Sequence, residues 1–132
     1  MLHINDQIPD LEVEAYHDDK IKRLKLSSFR GKWLVLLFYP GDFTFICPTE
    51  LEEAATLYGE FRKLKAEVLS VSTDSVHVHK AWRDTSPAIK NIAFPMIADQ
   101  TGRLSRAFGV YIDEGTDEGR ALRGTFIVNP QG

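Results

Sequence analysis

The sequence predicts an α/β fold in which a central mixed sheet carries helices on both faces. The residues Trp33–Phe38 form a continuous apolar run, which is typical of a strand buried on both faces. Residues 49–65 then repeat apolar side chains at helical spacing, and shorter strand and helix patterns alternate through the rest of the chain. With 132 residues, of which 43% are hydrophobic, the chain has the size and composition of a single domain.

The first strand and the first helix are the strongest of these patterns. The residues before a predicted turn at 29–32 are polar and poorly periodic, so no element is predicted there. In the strand that follows, we expect Trp33 and Phe38 to lie in the core. One face of the helix 49–65 is apolar up to a lysine whose charged end reaches solvent. The residues of this face are Leu51, Ala54, Tyr58, Phe61 and Lys65.

The second half of the chain alternates strand and helix patterns. Strands are predicted at 68–72, 95–98 and 125–128, helices at 77–85 and 104–108, and an edge segment at 110–112. Turns are predicted at 99–102 and at 129–132. In the second of these, proline and glycine occupy the positions that a type I turn favours. Strands that alternate with helices imply a sheet with a parallel portion, which is the plan of thioredoxin-like folds.

Composition and charge exclude several classes of function. A formal net charge of −3 and a pI near 5.8 give no electrostatic reason to bind nucleic acid or an anionic membrane. No apolar run is long enough to span a bilayer, and the N-terminus lacks the pattern of a signal peptide. A single cysteine excludes an intramolecular disulfide framework and a zinc site built from several cysteines. We therefore expect a cytoplasmic protein.

The single cysteine, Cys47, stands between the predicted strand and the predicted helix. A helix N-terminus offers unpaired backbone N–H groups and a positive dipole end, which favour the reactive thiolate. An isolated cysteine is more often a small buried hydrophobe, but this position favours a reactive thiol. Because an exposed helix end contributes at most about 1 kcal/mol, ionisation of the thiol at neutral pH needs a nearby cation. An arginine suits this role, because it stays charged when it is desolvated.

Three neighbours of Cys47 suit such a site. Pro48 is acceptable in the first helical turn, where its missing N–H costs nothing. Pro40 ends the preceding strand and offers an apolar ring that could shield the sulfur from water. Thr44 lies three residues before Cys47, so its hydroxyl can face the same side of a helical turn.

Residues 38–50 carry a resemblance to a known family. They read Phe-Tyr-Pro-Gly-Asp-Phe-Thr-Phe-Ile-Cys-Pro-Thr-Glu and contain the pattern Pro40-x-x-x-Thr44-x-x-Cys47. This segment resembles the active-site motif of peroxiredoxins, most of all the typical two-cysteine group that includes the peroxidase component of bacterial alkyl hydroperoxide reductase. Five further segments follow the order of that family, namely 8–10, 29–33, 70–74, 79–82 and 122–127. The resemblance implies a thiol-dependent peroxidase that reduces hydrogen peroxide and alkyl hydroperoxides.

The resemblance also implies a role for each residue of the motif. Cys47 becomes the peroxidatic cysteine, which cycles through a sulfenic acid, and Thr44 the hydroxyl that binds peroxide. Pro40 becomes the shield and Arg123 the guanidinium that stabilises the thiolate, while Glu50 helps to orient the arginines. These roles agree with the chemistry, since donors must hold both peroxide oxygens while the thiolate attacks.

The same resemblance implies the surroundings of the site. Phe43 and Phe45 lie near the substrate pocket or a subunit contact, and 78–82 approaches a neighbouring subunit, although ordinary burial is as good an explanation. The expected partners are a hydroperoxide and a thiol reductant, either thioredoxin-like or a flavoprotein disulfide reductase. A homo-oligomer is expected, either a dimer or a ring of dimers. Formation of the sulfenic acid requires no metal, flavin or haem.

The chain departs from the two-cysteine pattern in one respect. It has no second cysteine to resolve the sulfenic acid, and it stops on the predicted turn 129–132. This favours a single domain over 1–132 that lacks the C-terminal strand, helix and arm of the family. Two alternative functions remain open, a peroxide sensor and an oligomeric chaperone-like module with little turnover.

Two other patterns have structural interpretations. His77 and His79 resemble a pair of metal ligands, but residues two apart do not share a helix face, so metal binding is not predicted. The acidic run 113–119 lacks the spacing of a calcium-binding loop, and it is interpreted as a solvated loop.

Overall fold

The computed structural model describes residues 1–42 and 47–132, apart from the side chains of Cys47 and Pro48. Within that part of the chain the strands are β1 (Glu12–His17), β2 (Lys20–Lys25), β3 (Trp33–Phe38), β4 (Ala66–Ser72), β5 (Met96–Ala98) and β6 (Gly124–Val128). The helices are α1 (Cys47–Thr56), α2 (Tyr58–Lys63), α3 (Val76–Thr85) and α4 (Arg103–Ala107), and a 3₁₀ turn covers Leu26–Phe29.

The strands form one mixed sheet, as the sequence predicts. Their order is β2-β1-β5-β4-β3-β6. Strand β4 pairs in parallel with β3 on one side and with β5 on the other, and the remaining pairs are antiparallel. The parallel portion thus occupies the centre of the sheet. Parallel strands require connections that cross a face of the sheet, and α1, α2 and α3 supply them.

Both faces of β3 are buried, because its alternate side chains enter two different apolar clusters. Leu34, Leu36 and Phe38 belong to the cluster that also contains Leu104 of α4. Val35 belongs to the cluster on the opposite face, whose helix-borne members are Leu51, Tyr58 and Trp82 of α1, α2 and α3. The period of two along a strand accounts for this division. The prediction of helices on both faces is confirmed.

The hairpin of β1 and β2 was not predicted. Its strand β2 lies at the sheet edge and reads Lys-Ile-Lys-Arg-Leu-Lys, so it lacks the apolar alternation that marks a strand packed against a core. The hairpin turns through Asp18 and Asp19, with φ of 53° and 60°. Two successive positive φ angles are the geometry of the type I′ turn that joins hairpin strands, and Asp adopts them more readily than most residues.

The predicted helix 49–65 is two helices. Helix α1 begins at Cys47 and ends at Thr56, and α2 begins at Tyr58. At Leu57 the ψ angle of 0° departs from helical geometry, and its carbonyl accepts from the N–H groups of both Glu60 and Phe61. The apolar face continues across the break, since Leu51 and Tyr58 are both buried.

Four further predictions, for Phe38, for Trp33, for the segment 110–112 and for the turn 129–132, are decided by burial and hydrogen bonding. Phe38 is buried as predicted, but the prediction for Trp33 is wrong, because its side chain is 46% exposed at the start of β3. The segment 110–112 contributes only an isolated bridge between Tyr111 and Ala121. The turn 129–132 is confirmed by a hydrogen bond of 3.0 Å from the Gly132 N–H to the Asn129 carbonyl.

In the described part of the chain, no helix has the length and hydropathy needed to cross a bilayer.

We expect Leu36→Ala to lower the free energy of unfolding by about 2–5 kcal/mol, because it opens a cavity in the middle of β3 where Leu36 is 0% exposed. The matched control is Leu64→Ala, since Leu64 is 72% exposed and its loss should change stability by less than about 0.5 kcal/mol. Urea unfolding followed by circular dichroism measures both. Equal losses in the two variants would contradict the burial of Leu36 in the core.

Candidate functional site

The backbone places Cys47 where the sequence predicts it, at a strand-to-helix junction. Strand β3 ends at Phe38 and Cys47 is the first residue of α1. Pro40 lies between them and is half-buried. The residues 43–46, and with them the predicted roles of Phe43, Thr44 and Phe45, lie outside the described part of the chain. The location of the cysteine is therefore established at the level of the backbone.

Arg123 lies beside the first turn of α1. Its Nη1 donates to Oε2 of Glu50 over 3.0 Å. Sheet register explains this proximity, because Phe38 at the end of β3 pairs with Gly124 at the start of β6. Arg123, one residue earlier, is thus delivered to the carboxyl end of β3, where α1 begins. The structure thus brings Arg123 to Glu50, which lies 73 residues earlier in the sequence, in the first turn of the helix that begins at Cys47.

The ion pair between Arg123 and Glu50 contributes little to the stability of the fold. The two side chains are 36% and 52% exposed, and exposed ion pairs contribute about 0–1 kcal/mol. Both side chains also line a cleft of about 540 Å³. The rest of that cleft is mostly apolar and includes Leu37, Leu57 and Ile127. A charged group in the wall of a largely apolar cleft can bind a polar head while the apolar walls contact a nonpolar body.

A buried polar network, which the sequence did not predict, surrounds Asp42 between the end of β3 and the start of α1. The Asp42 carboxylate accepts a hydrogen bond of 2.6 Å from the Tyr39 hydroxyl through Oδ1. Its Oδ2 lies 2.6 Å from Nδ1 of His79, and the side chains of Asp42 and His79 are fully buried. The other ring nitrogen of His79 donates to the Ile97 carbonyl over 2.9 Å.

A second carboxylate holds the backbone of Asp42. The Asp42 N–H donates to Oδ2 of Asp74 over 2.7 Å, and the Ser72 hydroxyl donates to the same oxygen over 2.9 Å. Ser72 is the last residue of β4, so this contact fixes Asp42 to the carboxyl end of the central strand.

The protonation of the Asp42 and His79 pair follows from its partners. A carbonyl oxygen only accepts, so Nε2 of His79 carries a proton. One further proton lies between Nδ1 and the Asp42 carboxylate, so the pair is neutral overall whichever atom holds that proton. Burial works to lower the pKa of His79, but the hydrogen bond and charge of Asp42 prevail and raise it. Burial raises the pKa of Asp42, against the hydrogen bonds from His79 and Tyr39.

The histidine pair of the sequence has a structural explanation. His77 is exposed on α3, whereas His79 is fully buried and bonded at both ring nitrogens. No cluster of three or more histidine, cysteine, aspartate or glutamate side chains suited to a metal ion occurs among the residues that the structure describes. The acidic segment 113–118 is exposed, as expected of a solvated loop.

Comparison with known proteins identifies the family to which the chain belongs. Residues 4–132 match the AhpC/TSA family. Alkyl hydroperoxide reductase C from Pseudomonas aeruginosa is 51% identical over 129 residues, which cover 98% of this chain and 67% of that protein. The selenocysteine-containing peroxiredoxin PrxU of Peptoclostridium acidaminophilum is 44% identical over 135 residues, covering 100% and 65%. The chain thus spans about two thirds of the length of these curated relatives.

Solved structures of peroxiredoxins support the same family assignment. The crystal structure of AhpC from Enterococcus faecalis superposes with a TM-score of 0.93 at 45% identity and covers 100% of this chain and 77% of that one. The reduced 2-Cys peroxiredoxin of Plasmodium vivax gives 0.91 at 31% identity, covering 99% and 81%. The fold is therefore the thioredoxin-like fold of peroxiredoxins, with the cysteine at the junction of β3 and α1. The chain belongs to the AhpC/TSA family.

We expect the contribution of the Asp42 and His79 pair to stability to fall as the pH rises. The folded-state pKa of His79 lies above the ordinary value of 6.5, so the contribution is fully present below about pH 6.5 and is lost as the pH passes through the folded pKa. The loss should reach at most about 1.4 kcal/mol per pH unit for one proton.

Urea unfolding of the wild type and of His79→Gln from about pH 6 to about pH 9 measures this contribution as a difference. The exposed His77 provides the control, since His77→Gln should give no such pH-dependent difference. A difference that grows with pH would contradict the assignment.

Proposed function

We propose that the protein is a thiol-dependent peroxidase in which Cys47 reduces hydrogen peroxide and alkyl hydroperoxides. The observation that carries the proposal is the convergence at the start of α1, where Cys47 is the first helical residue and Arg123 is bonded to Glu50 in the same turn. A thiol at this position has a positive helix end and a guanidinium nearby, which is the environment of a reactive cysteine. Membership of the AhpC/TSA family supports the same reaction.

The reaction is a displacement on oxygen. The Cys47 thiolate attacks one peroxide oxygen, a sulfur–oxygen bond forms and the oxygen–oxygen bond breaks. The second oxygen leaves as hydroxide or alkoxide and takes a proton, so the peroxide is reduced to water or an alcohol. Sulfur is oxidised to a sulfenic acid, which a thiol then reduces. In the proposed site Thr44 and Arg123 hold the two oxygens, Glu50 orients Arg123, Phe43 borders the substrate and Pro40 shields the sulfur.

Arginine has two tasks in this proposal. A thiol with a pKa of about 8.5 is only about 3% thiolate at pH 7, whereas one with a pKa of about 6 is about 90% thiolate. A guanidinium stays charged when partly desolvated, so it favours the thiolate. Its planar fork of donors can also meet the negative charge that develops on the leaving oxygen.

The partners follow from the same chemistry. The electrons that regenerate Cys47 come from a thiol, so we propose a thioredoxin-like protein or a flavoprotein disulfide reductase as the reductant. We also propose that residues 1–132 form one peroxiredoxin domain that assembles into a homo-oligomer in the cytoplasm. The apolar body of the cleft beside Arg123 supports alkyl hydroperoxides as substrates in addition to hydrogen peroxide.

Cys47→Ser should abolish peroxide consumption in the presence of a small thiol while leaving the fold intact, because a serine hydroxyl is hardly ionised at neutral pH. Peroxide loss is followed directly, and circular dichroism confirms that the variant is folded. Retention of most of the activity by this variant would rule out the proposed nucleophile.

Arg123→Ala should raise the pKa of the Cys47 thiol and slow its oxidation by about 10²- to 10³-fold, because a donor to the developing charge is lost. Arg123→Lys should restore only part of the rate, since an ammonium lacks the planar fork. Thr44→Val should slow oxidation with little change in the pKa. The pH dependence of alkylation measures the thiol pKa.

The matched control for Arg123 is Arg120→Ala, which removes an exposed arginine three residues earlier and should change neither quantity. If alkylation of Cys47 has the same pH midpoint with and without Arg123, the electrostatic account is wrong.

A further inference from the structure

Asp42 sits at the start of the segment that leads to Cys47. It is four residues beyond the end of β3 and five residues before the first residue of α1. Its contacts come from three separate elements, namely His79 on α3, Ile97 of β5 through that histidine, and Asp74 just after β4. The segment that connects β3 to the reactive cysteine therefore starts at a residue, Asp42, that is fixed to the rest of the core.

The contacts at Asp42 determine its orientation as well as its position. Both carboxylate oxygens are engaged, one by Tyr39 and one by His79, and the backbone N–H is held by Asp74. The His79 ring is fixed in turn by bonds at both nitrogens, one of them to the backbone of β5. Hydrogen bonds at two ring positions leave the imidazole no freedom to rotate, so the carboxylate that faces it is held as well.

Stability alone does not account for such a pair. Replacing a buried ion pair by well-packed apolar residues is often neutral or stabilising, because taking two charges out of water costs about as much as their attraction returns. Here the pair adjoins Tyr39, a member of the apolar layer that also contains Trp82 and Phe94. What apolar side chains would not provide is the directional hold on residue 42.

We propose that His79, acting through Asp42, is a positioning residue that sets the placement of Cys47 relative to the groups that bind peroxide. The inference rests on the proposed role of Cys47 as the peroxidatic thiol. His79 touches neither sulfur nor peroxide in this account. It holds the residue from which the reactive segment starts, and a misplacement of about 1 Å can cost about 10²-fold in rate.

The two ring nitrogens of His79 allow a matched pair of variants. The amide nitrogen of asparagine takes the place of Nδ1, so His79→Asn keeps the donor to Asp42 and loses the bond to Ile97. The longer glutamine places its amide near Nε2, so His79→Gln keeps the bond to Ile97 and loses the hold on Asp42. The positioning role predicts that His79→Asn retains most of the rate and that His79→Gln does not, although glutamine fills the buried space better.

Two controls distinguish a loss of positioning from the effect of any substitution on the same helix and from a general loss of stability. His77→Gln changes an exposed histidine on the same helix and should leave the rate unchanged. Phe94→Leu weakens the same apolar layer but removes no hydrogen-bonding group of the network, since Phe94 is a buried apolar side chain that packs against Tyr58. It should lower the melting temperature while leaving the rate of Cys47 oxidation within about twofold of wild type.

The test measures two reactions of Cys47 in each variant. Oxidation by stoichiometric hydrogen peroxide is followed by intact mass, as the gain of one oxygen. Alkylation by iodoacetamide, which needs the thiolate but not the aligned peroxide donors, is followed in the same way. In His79→Gln we expect oxidation to slow by about 10- to 100-fold and alkylation by less than about threefold. Amide hydrogen exchange in a peptide covering 47–56 should be faster in His79→Gln than in His79→Asn.

The outcomes distinguish a failure of the proposed peroxidase function from a failure of the positioning role of His79. Wild-type Cys47 that oxidises no faster than a free thiol would overturn the proposed function, and the exchange measurement would then decide whether His79 holds the segment. If wild-type Cys47 oxidises rapidly and His79→Gln does the same, the positioning role is wrong. It is equally wrong if oxidation and alkylation slow in proportion, or if Phe94→Leu slows oxidation as much as His79→Gln.

Discussion

The parallel pairing of β3 with β4 at the centre of the sheet is the constraint on which the rest of the structure depends. It is made possible by the burial of β3 on both faces, and it brings the carboxyl ends of the two strands to one edge. Asp42 and Cys47 follow one strand and Asp74 follows the other. The antiparallel strand β6 starts at the same edge and brings Arg123. A single register thus assembles a site from segments that are distant in sequence.

Local signals were sufficient for the central elements. The apolar run of β3 and the helical spacing after Cys47 are set by burial, and burial leaves a pattern in neighbouring residues. The hairpin of β1 and β2 left no such pattern, because β2 lies at an exposed edge and is rich in charged residues. Trp33 was misjudged for a related reason, since an apolar run does not reveal where along a strand burial begins.

The side-chain pairs at the site that are distant in sequence could not be predicted from local sequence patterns. Glu50 and Arg123 are 73 residues apart, and their association was expected only because the chain resembles peroxiredoxins. Asp42 and His79 are 37 residues apart, and neither carries a periodic signal. A histidine on a helix resembles any surface histidine until its partner is known, and His77 shows that the same helix carries both kinds. The roles assigned to Phe43 and Thr44 remain predictions.

The charged edge strand has a consequence for association between copies of the chain. An unpaired strand presents a row of free N–H and C=O groups, onto which a further strand can add. In β2 the side chains along this edge include Lys20, Lys22, Arg23 and Lys25. Lys22 and Arg23 are paired with carboxylates of the same hairpin, so the like charges that two approaching copies would bring together are mainly those of Lys20 and Lys25. The opposite edge strand β6, Gly-Thr-Phe-Ile-Val, has no charged side chain to oppose such an approach. Among the strands that the structure describes, β2 and β6 therefore differ in charge, and only β2 opposes extension of the sheet electrostatically.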